Sequence, residues 1–548
     1  MRAAPLYRSP GAPPPPRRPS PADGELPLAG RTGALRPPAE VTRAFVERGW
    51  WRTETVLHDL YRGAARHPHR TAVVSHRAHR PAANRVIRIS YGQLAACTDR
   101  FAHALDALGV RPGDPVAFQL PNRWEAVALL LACLRTGAVA VPVLPGYGAR
   151  DLEAVLRAAA PRLCVVPDRW EGTAPARILA ELVPRLPWLR HRAVLGDTVD
   201  RGAVDFVTHF VHTPHERHRP TGWLPLPPAA ADRICLAVTS LGLRAAHSMA
   251  LHTPNSLYAG LPASGGPGQA DFSALPLASL PSLLHAVIGP LSRGGTIVLQ
   301  DLWDPEAALA LMAAAGVRRM YATPAQWAEL VTVQHHRPRP VGELSGAFTS
   351  DPAGTSAALV QQVRATLGVE LRALPQPAAH AGREGALGAD GPHRLWPRGP
   401  ASPLAVWRRG GGGLGLTWEQ DGGSGTGDGV DLDEGGHPRL RTEEVGGVFL
   451  VPVTEIEELL LGHPRVAEVA VVACTDAQHG ELACAVVVPD GTPPTLRELR
   501  DHLLGRGVPP AHLPAELVLM GGLPRTETGE PHRRSLQDTL ARRPAQAA

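Results

Sequence analysis

Lysine is missing altogether from this chain of 548 residues: its 56 basic residues are all arginine, set against 51 acidic ones. Arginine keeps its proton and presents a planar fork, whereas lysine is a compact charge whose pKa its surroundings can tune. Chemistry that requires a lysine amine therefore cannot run here in its usual form. Cysteine is also scarce, with six residues (Cys97, Cys133, Cys164, Cys235, Cys474, Cys484) and no C-x-x-C, which excludes a dense disulfide framework or a zinc ribbon and points to reduced thiols. No apolar run approaches the roughly 20 residues of a membrane span; the longest without charge lies near 126–134. No N-terminal stretch has the apolar centre of a secretion signal. Aromatic residues are 5% of the chain and the net charge is only +5. A field that weak, with no basic block interleaved with aromatics, argues against nucleic acid as a partner. A cytoplasmic protein is expected.

What is present is the composition of a globular chain, 44% hydrophobic and 20% charged. At roughly 100–200 residues per domain, two to four domains are expected. Residues 1–40, with Pro13–Pro16 followed by Arg17 and Arg18, read as a disordered tail. From Val41 the periodicity predicts helices at 94–108, 124–135, 151–160 and 305–315. It predicts strands at 115–120, 137–143, 162–166, 234–239, 296–299 and 319–322. Strands alternating with helices of this length mean βαβ units and a parallel sheet. Residues 375–428 break the rhythm with Pro375, Pro377, Pro397, Pro400 and the run Gly410–Gly413. Beyond them a smaller unit shows helices at 453–461 and 496–504 and strands at 466–473 and 483–488.

Several stretches carry a family pattern. Val110-Arg111-Pro112-Gly113-Asp114 is followed by Leu120-Pro121-Asn122-Arg123-Trp124-Glu125 and by Gly137-Ala138-Val139 with Pro142. Near the other end stand Thr426-Gly427-Asp428, Gly446-Gly447, Pro452-Val453-Thr454-Glu455-Ile456-Glu457-Glu458 and Pro524-Arg525-Thr526-Glu527-Thr528-Gly529-Glu530. From Val41 to Arg543 the chain resembles the AMP-forming acyl-CoA synthetases, the adenylate-forming ligases, with a look of the cyclohexanecarboxylate and short/medium-chain acyl-CoA ligases. The resemblance implies a large multi-layered α/β domain at 41–440 and a smaller mobile α+β domain at 441–548. It implies ATP and coenzyme A as cofactors, AMP as product, and a small carboxylic acid or acyl group as substrate. The reaction passes through an acyl-adenylate, and the small domain then turns so that coenzyme A attacks.

The departures from the pattern concern charge. The family's phosphate loop is a Ser/Thr/Gly-rich turn with a lysine, whose N–H groups and small hydroxyls approach phosphate oxygens. Here Thr239 and Ser240 match, Gly242 is kept, and Leu241 and Arg244 stand at glycine positions, with His247 or Ser248 at the lysine position. Arg244 can pair with a phosphate through its fork. The family's magnesium glutamate falls on Ala379, and the nearest acid, Glu384, lies five residues on, so Mg²⁺ lacks its oxygen ligand. Asp428, with Thr426 and Gly427, fits the ribose-binding triplet, and an Asp-Gly turn is its bland alternative. Asp433, Gly436 and Leu440 continue the likeness, after which Arg441-Thr442-Glu443-Glu444-Val445 runs directly into Gly446 and Gly447, an acidic linker shorter than the family's. The lysine that bridges carboxylate and phosphate is Glu530, with Arg533, Arg534 and Leu536 following in register. Two like charges about 4 Å apart repel by roughly 1 kcal/mol in water and about 4 at an effective dielectric of 20.

His209, His212, His215 and His218 recur every third residue, a spacing that a metal array or a solvated connector can show. Pro214 and Pro220 read it as a loop, and His76, His79, His335 and His336 in similar Arg/Pro settings favour the connector. No G-x-S-x-G elbow supports a serine hydrolase. Two functions stay open: an ATP-dependent ligase working through Ser240, Arg244 and Asp428, or a non-catalytic relative that binds a nucleotide, an acyl group or a partner protein. Pyrophosphate release over a panel of carboxylates separates them.

Overall fold

The computed structural model describes residues 32, 35–218, 230–240, 248–262, 266–350, 355, 357–374, 388–389, 395–396, 400–408, 413–416, 430–432, 438–440, 453–476, 480–508, 513–524, 536 and 539–540. Alternating apolar runs and capped helices build two sheets in the large domain. In spatial order the first holds Leu371–Ala373, Gly346–Thr349, Val317–Ala322, Ala270–Ser273, Thr296–Gln300, Thr71–His76 and Val86–Ser90. All pairings in it are parallel except the last. The second runs Gly413–Leu416, Ala405–Arg408, Ser248–His252, Leu236–Ser240, Val139–Pro142, Pro115–Phe118, Leu163–Pro167, His191–Leu195 and Val204–Asp205. It is parallel from Leu236–Ser240 onward and antiparallel at the opposite edge.

Side chains alternate along each strand, so each sheet feeds two cores. Val73, Ile297 and Leu299 of the first sheet and Val116, Phe118, Leu163 and Val165 of the second share one core with helices Val56–Arg66, Tyr91–Ala107 and Trp124–Thr136. The opposite face of the first sheet (Val74, Phe272, Val298, Met320) packs on Pro305–Ala315, Pro324–His336 and Ala357–Leu367. That of the second (Ala117, Val139, Val141, Cys164) packs on Ala149–Ala159 and Pro175–Leu182. The result is five layers, helix–sheet–helix–sheet–helix. The central layer explains why Trp124–Thr136 is apolar all round, since nearly every residue in it is buried. The helix ends at Gly137, left-handed at φ 75°, a conformation glycine adopts without steric cost. In the smaller domain, Val466–Asp476, Gly480–Pro489 and Glu516–Leu519 form a three-stranded sheet backed by Val453–Leu461 and Leu496–Leu504.

Three expectations change. Of the tail expected at 1–40, residues 1–31, 33 and 34 lie outside the described residues, and the helix Ala39–Glu47 begins ahead of Val41. Thr32 is buried with its hydroxyl on the Gly113 carbonyl at 2.8 Å, and Leu35 lies against the second sheet's outer core. The histidine stretch is not a loop. Val207–His212 is a π-helical segment and His215–His218 a 3₁₀ turn, fixed because Phe206 and Phe210 stack at 4.7 Å and bury against Phe101. The Pro/Gly-rich region also contributes a strand to the second sheet, Ala405–Arg408, which pairs with Ser248–His252. The junction expected near 440–441 borders residues 441–452, which lie outside the described residues.

Candidate active site

Ligands of open α/β sheets bind beyond the carboxyl ends of the parallel strands, and the expected phosphate loop leaves such an end. Leu236–Ser240 finishes at Thr239 and Ser240, and the chain returns antiparallel with Ser240 opposite Ser248. The seven-residue connection 241–247, with Leu241, Gly242, Arg244 and His247, lies outside the described residues. So do Ala379, Glu384, Thr426, Gly427, Asp428, Gly446, Gly447 and Glu530. Of the expected site residues, the fold thus places Thr239 and Ser240 alone. Just past the returning strand, Thr253 caps the helix Pro254–Ala259 by accepting from the Ser256 N–H, and Asn255 bonds Asp232 and the Arg52 N–H.

The carboxyl ends of the first sheet hold a buried polar and aromatic cluster that sequence reasoning missed. Tyr321 stands between two rings, 5.0 Å from His285 and 5.2 Å from Phe348, both nearly parallel to it. The Trp327 indole N–H donates to the Phe348 carbonyl at 3.0 Å. Two residues back along the strand, Arg319 donates from Nε and Nη2 to the two carboxylate oxygens of Asp271, at 2.8 and 2.5 Å, and Arg293 approaches the same carboxylate at 3.5 Å. Burial lowers the Arg319 pKa, but its hydrogen bonds with Asp271 outweigh that and raise it. Burial, then Arg319 and Arg293, push the His285 imidazole down to about 4; burial and Asp271 push the Tyr321 phenol up. His285 is therefore neutral at pH 7. Its Nδ1 and the Tyr321 hydroxyl are buried without a hydrogen-bond partner among the described residues. Unmatched buried polar atoms of this kind are uncommon. The available signal was Asp271 within the apolar strand Ala270–Ser273, since a buried acid needs a partner.

Two members of the histidine array, His209 and His215, are engaged elsewhere. His209 Nε2 lies 3.2 Å from the Ala104 carbonyl and His215 Nε2 lies 2.9 Å from the His209 carbonyl; Glu216 forks onto Arg100. These contacts anchor the segment to the helix Tyr91–Ala107. Among the described residues no group of three His, Cys, Asp or Glu could hold a metal ion, nor is any helix long and apolar enough to cross a membrane.

Residues 60–374 match the model of the AMP-binding enzyme family, and residues 455–530 match that of the AMP-binding enzyme C-terminal domain. The chain belongs to the AMP-binding enzyme family. It is 29% identical to the salicyl-AMP ligase / salicyl-S-ArCP synthetase of Mycobacterium tuberculosis, over 94% of this chain and 97% of that protein. It is 24% identical to the medium-chain fatty-acid–CoA ligase of Escherichia coli, over 91% and 93%. Among solved structures, the apo structure of MbtA from Mycobacterium smegmatis superposes with a TM-score of 0.57 at 25% identity, covering 93% of this chain and 99% of that one. The amide bond synthetase McbA from Marinactinospora thermotolerans gives 0.65 at 22%, covering 89% and 99%, which speaks for the fold alone. Adenylate-forming acyl- and aryl-acid ligases are thus the chain's relatives, a family that uses ATP, typically Mg²⁺, and an acyl acceptor that is coenzyme A or a carrier protein. The glutamate that the resemblance assigns to Mg²⁺ falls on Ala379, whose methyl side chain carries no oxygen; that position lies outside the described residues.

Proposed function

We propose that this chain is a member of the acyl/aryl-acid adenylate-forming ligases in which lysine-dependent adenylation is lost, while binding of the nucleoside and of an aromatic carboxylic acid is kept. One observation carries the reading: Glu530 stands where the family bridges carboxylate and phosphate with a lysine, and no lysine exists anywhere else in the chain. Adenylation joins a carboxylate oxygen to the α-phosphorus of ATP and expels pyrophosphate, so anionic oxygens crowd one point. A cation there stabilises them, and a carboxylate repels them. Leu241 in the phosphate loop and Ala379 in place of the magnesium ligand act in the same direction.

Asp428 supports retained nucleoside binding, because its carboxylate accepts from ribose hydroxyls whatever the state of the phosphate loop. The aromatic character of the acid is supported by the salicylate-named relative. With the phosphate partners gone, ATP gains little over AMP. Calorimetry with AMP and with ATP, each with and without Mg²⁺, tests this. Equal or weaker ATP affinity is expected; ATP at least tenfold tighter than AMP and dependent on magnesium overturns the reading. Carboxylate-dependent pyrophosphate release over a panel of aryl and alkyl acids is expected to stay at background.

A further inference from the structure

Residues 60–98 contain seven arginines and neither aspartate nor glutamate. Two of the seven are paired, Arg62 with Glu54 and Asp59, and Arg77 with Glu125. The other five, Arg66, Arg70, Arg80, Arg85 and Arg88, are exposed and make no ion pair among the described residues. Three of these are steadied by carbonyls instead of carboxylates: Arg70 donates to that of Gly268 at 3.0 Å, Arg85 to that of Arg80 at 2.9 Å and Arg88 to that of Ala314 at 3.4 Å. The acids beside this segment are engaged already. Asp301 pairs with Arg123 and accepts from the Ala78 N–H, and Asp304 caps the helix Pro305–Ala315. Positive charge therefore stands uncompensated along the hairpin of Thr71–His76 and Val86–Ser90.

That hairpin ends the first sheet, and among the described residues no strand pairs with the outer side of Val86–Ser90. Residues of an antiparallel pair turn their backbone groups alternately toward the neighbouring strand and away from it. The Arg77 N–H donates to the Arg85 carbonyl at 2.7 Å, and Ser75 faces Ile87 in the same register. Arg85, Ile87 and Ile89 are thus turned inward, and Val86 and Arg88 point their N–H and C=O groups out of the edge. The Val86 side chain, 42% exposed, shares its face of the strand with Arg88. Ile87 and Ile89 pack on the core between the sheets, which holds the strand in place with its outer side open.

Charged side chains on an edge strand keep neutral and like-charged strands away, and an open edge of this sign accepts an acidic one. We propose that Val86–Ser90 is the docking strand for an acidic extended segment of a partner protein, which joins the first sheet as an additional strand. Its backbone pairs with Val86 and Arg88, and its carboxylates meet the guanidinium groups of Arg80, Arg85 and Arg88. Open backbone donors and acceptors in strand spacing favour a peptide over nucleic acid. The aromatic residues of the segment, Tyr61 and Tyr91, are partly and fully buried, so no ring is offered for stacking on bases. Pairing of two copies of this edge would bring arginine against arginine. None of these residues belongs to the phosphate loop or the ribose triplet.

The full-length protein is titrated by fluorescence anisotropy with a labelled ten-residue peptide of alternating glutamate and valine. Two counterparts serve as controls: a lysine–valine peptide, and a glutamate–proline peptide that keeps the charge and cannot join a sheet. The glutamate–valine peptide is expected to bind at least tenfold more tightly than either, and hydrogen exchange at the Val86 and Arg88 amides to slow at least fivefold in its complex. Arg85→Ser/Arg88→Ser is expected to weaken it at least fivefold with AMP affinity unchanged. Val86→Pro, which removes an outward N–H and spares the pairing with Thr71–His76, is expected to do the same. The peptide series and the exchange measurement use the unaltered protein and give the answer should a variant fold poorly. A glutamate–proline peptide or a single-stranded thymidine oligonucleotide that binds as tightly as the glutamate–valine peptide overturns the proposal, as do Val86 and Arg88 amides whose exchange is unchanged in the complex.

Discussion

At the scale of single residues, Glu530 carries the functional argument and Asn122 a structural one. Restoring lysine through Glu530→Lys replaces a repulsion with an attraction. In the proposed reading it leaves Leu241 in the phosphate loop and Ala379 in place of the metal ligand. Groups that work as one catalytic unit are strongly non-additive, so a single repair returns little. Pyrophosphate release is expected to stay at background for Glu530→Lys and to rise only in the combined Glu530→Lys/Ala379→Glu/Leu241→Gly variant; robust turnover by the single variant would show that the loss is confined to residue 530. Asn122 joins the loop after Pro115–Phe118 to the loop after Ala270–Ser273 through two buried hydrogen bonds. Asn122→Ala leaves the Leu275 carbonyl and the Leu277 N–H unpaired in the core, at a cost of about 2–4 kcal/mol. Urea unfolding would register that as a lower midpoint. Thr239 and Ser240, the expected site residues among those described, were legible as the end of a strand because the apolar run ahead of them is local. Tyr321, His285 and Asp271 were not, because the strand pairing that brings them together joins segments far apart in sequence.

Among the elements, those with both ends written locally were read most accurately. Pro305–Ala315 has Asp304 accepting from the Glu306 and Ala307 N–H groups and Gly316 left-handed at φ 61°, and its observed span is the expected one. Asp304→Ala removes that cap and should cost about 1 kcal/mol, seen as a small drop in Tm. Where the sequence carried Pro or Gly signals alone, the reading failed. Ala405–Arg408 is a strand because Ser248–His252 offers it an edge, and Val207–His212 is helical because Phe206 and Phe210 fill the core beside Phe101. Both are tertiary causes that no local window contains. The start of the globular part belongs here too. Removing residues 32–40 strips the Thr32 hydroxyl from Gly113 and Leu35 from its core, so that truncation should lower the thermal midpoint by several degrees. An unchanged midpoint would return the boundary to Val41.

For the whole molecule, the alternation of strands and helices made the α/β class legible, but not its division into two sheets around a shared helical layer, which depends on which faces meet. That central layer and its flanks bury ionisable groups, and their burial fixes how stability depends on pH. His252 and His285 are both pushed down to about 4, His252 by burial and His285 by burial together with Arg319 and Arg293. In the unfolded chain a histidine titrates near 6.5. Between about pH 6.5 and 4 the unfolded state binds the extra protons and the folded state does not, so stability rises with pH across that window and is lost on acidification. Above the unfolded value both states are neutral and the contribution is fully present; below about 4 both are charged and the loss levels off. The full shift corresponds to roughly 3 kcal/mol for each histidine, a large share of the ~5–15 kcal/mol by which native proteins are stable. Urea midpoints measured from pH 7 to pH 4 should therefore fall steeply. His285→Phe keeps a ring against Tyr321 and removes the proton site, so it should flatten that fall by about half, and a slope unchanged by it would show that the acid sensitivity arises from other groups.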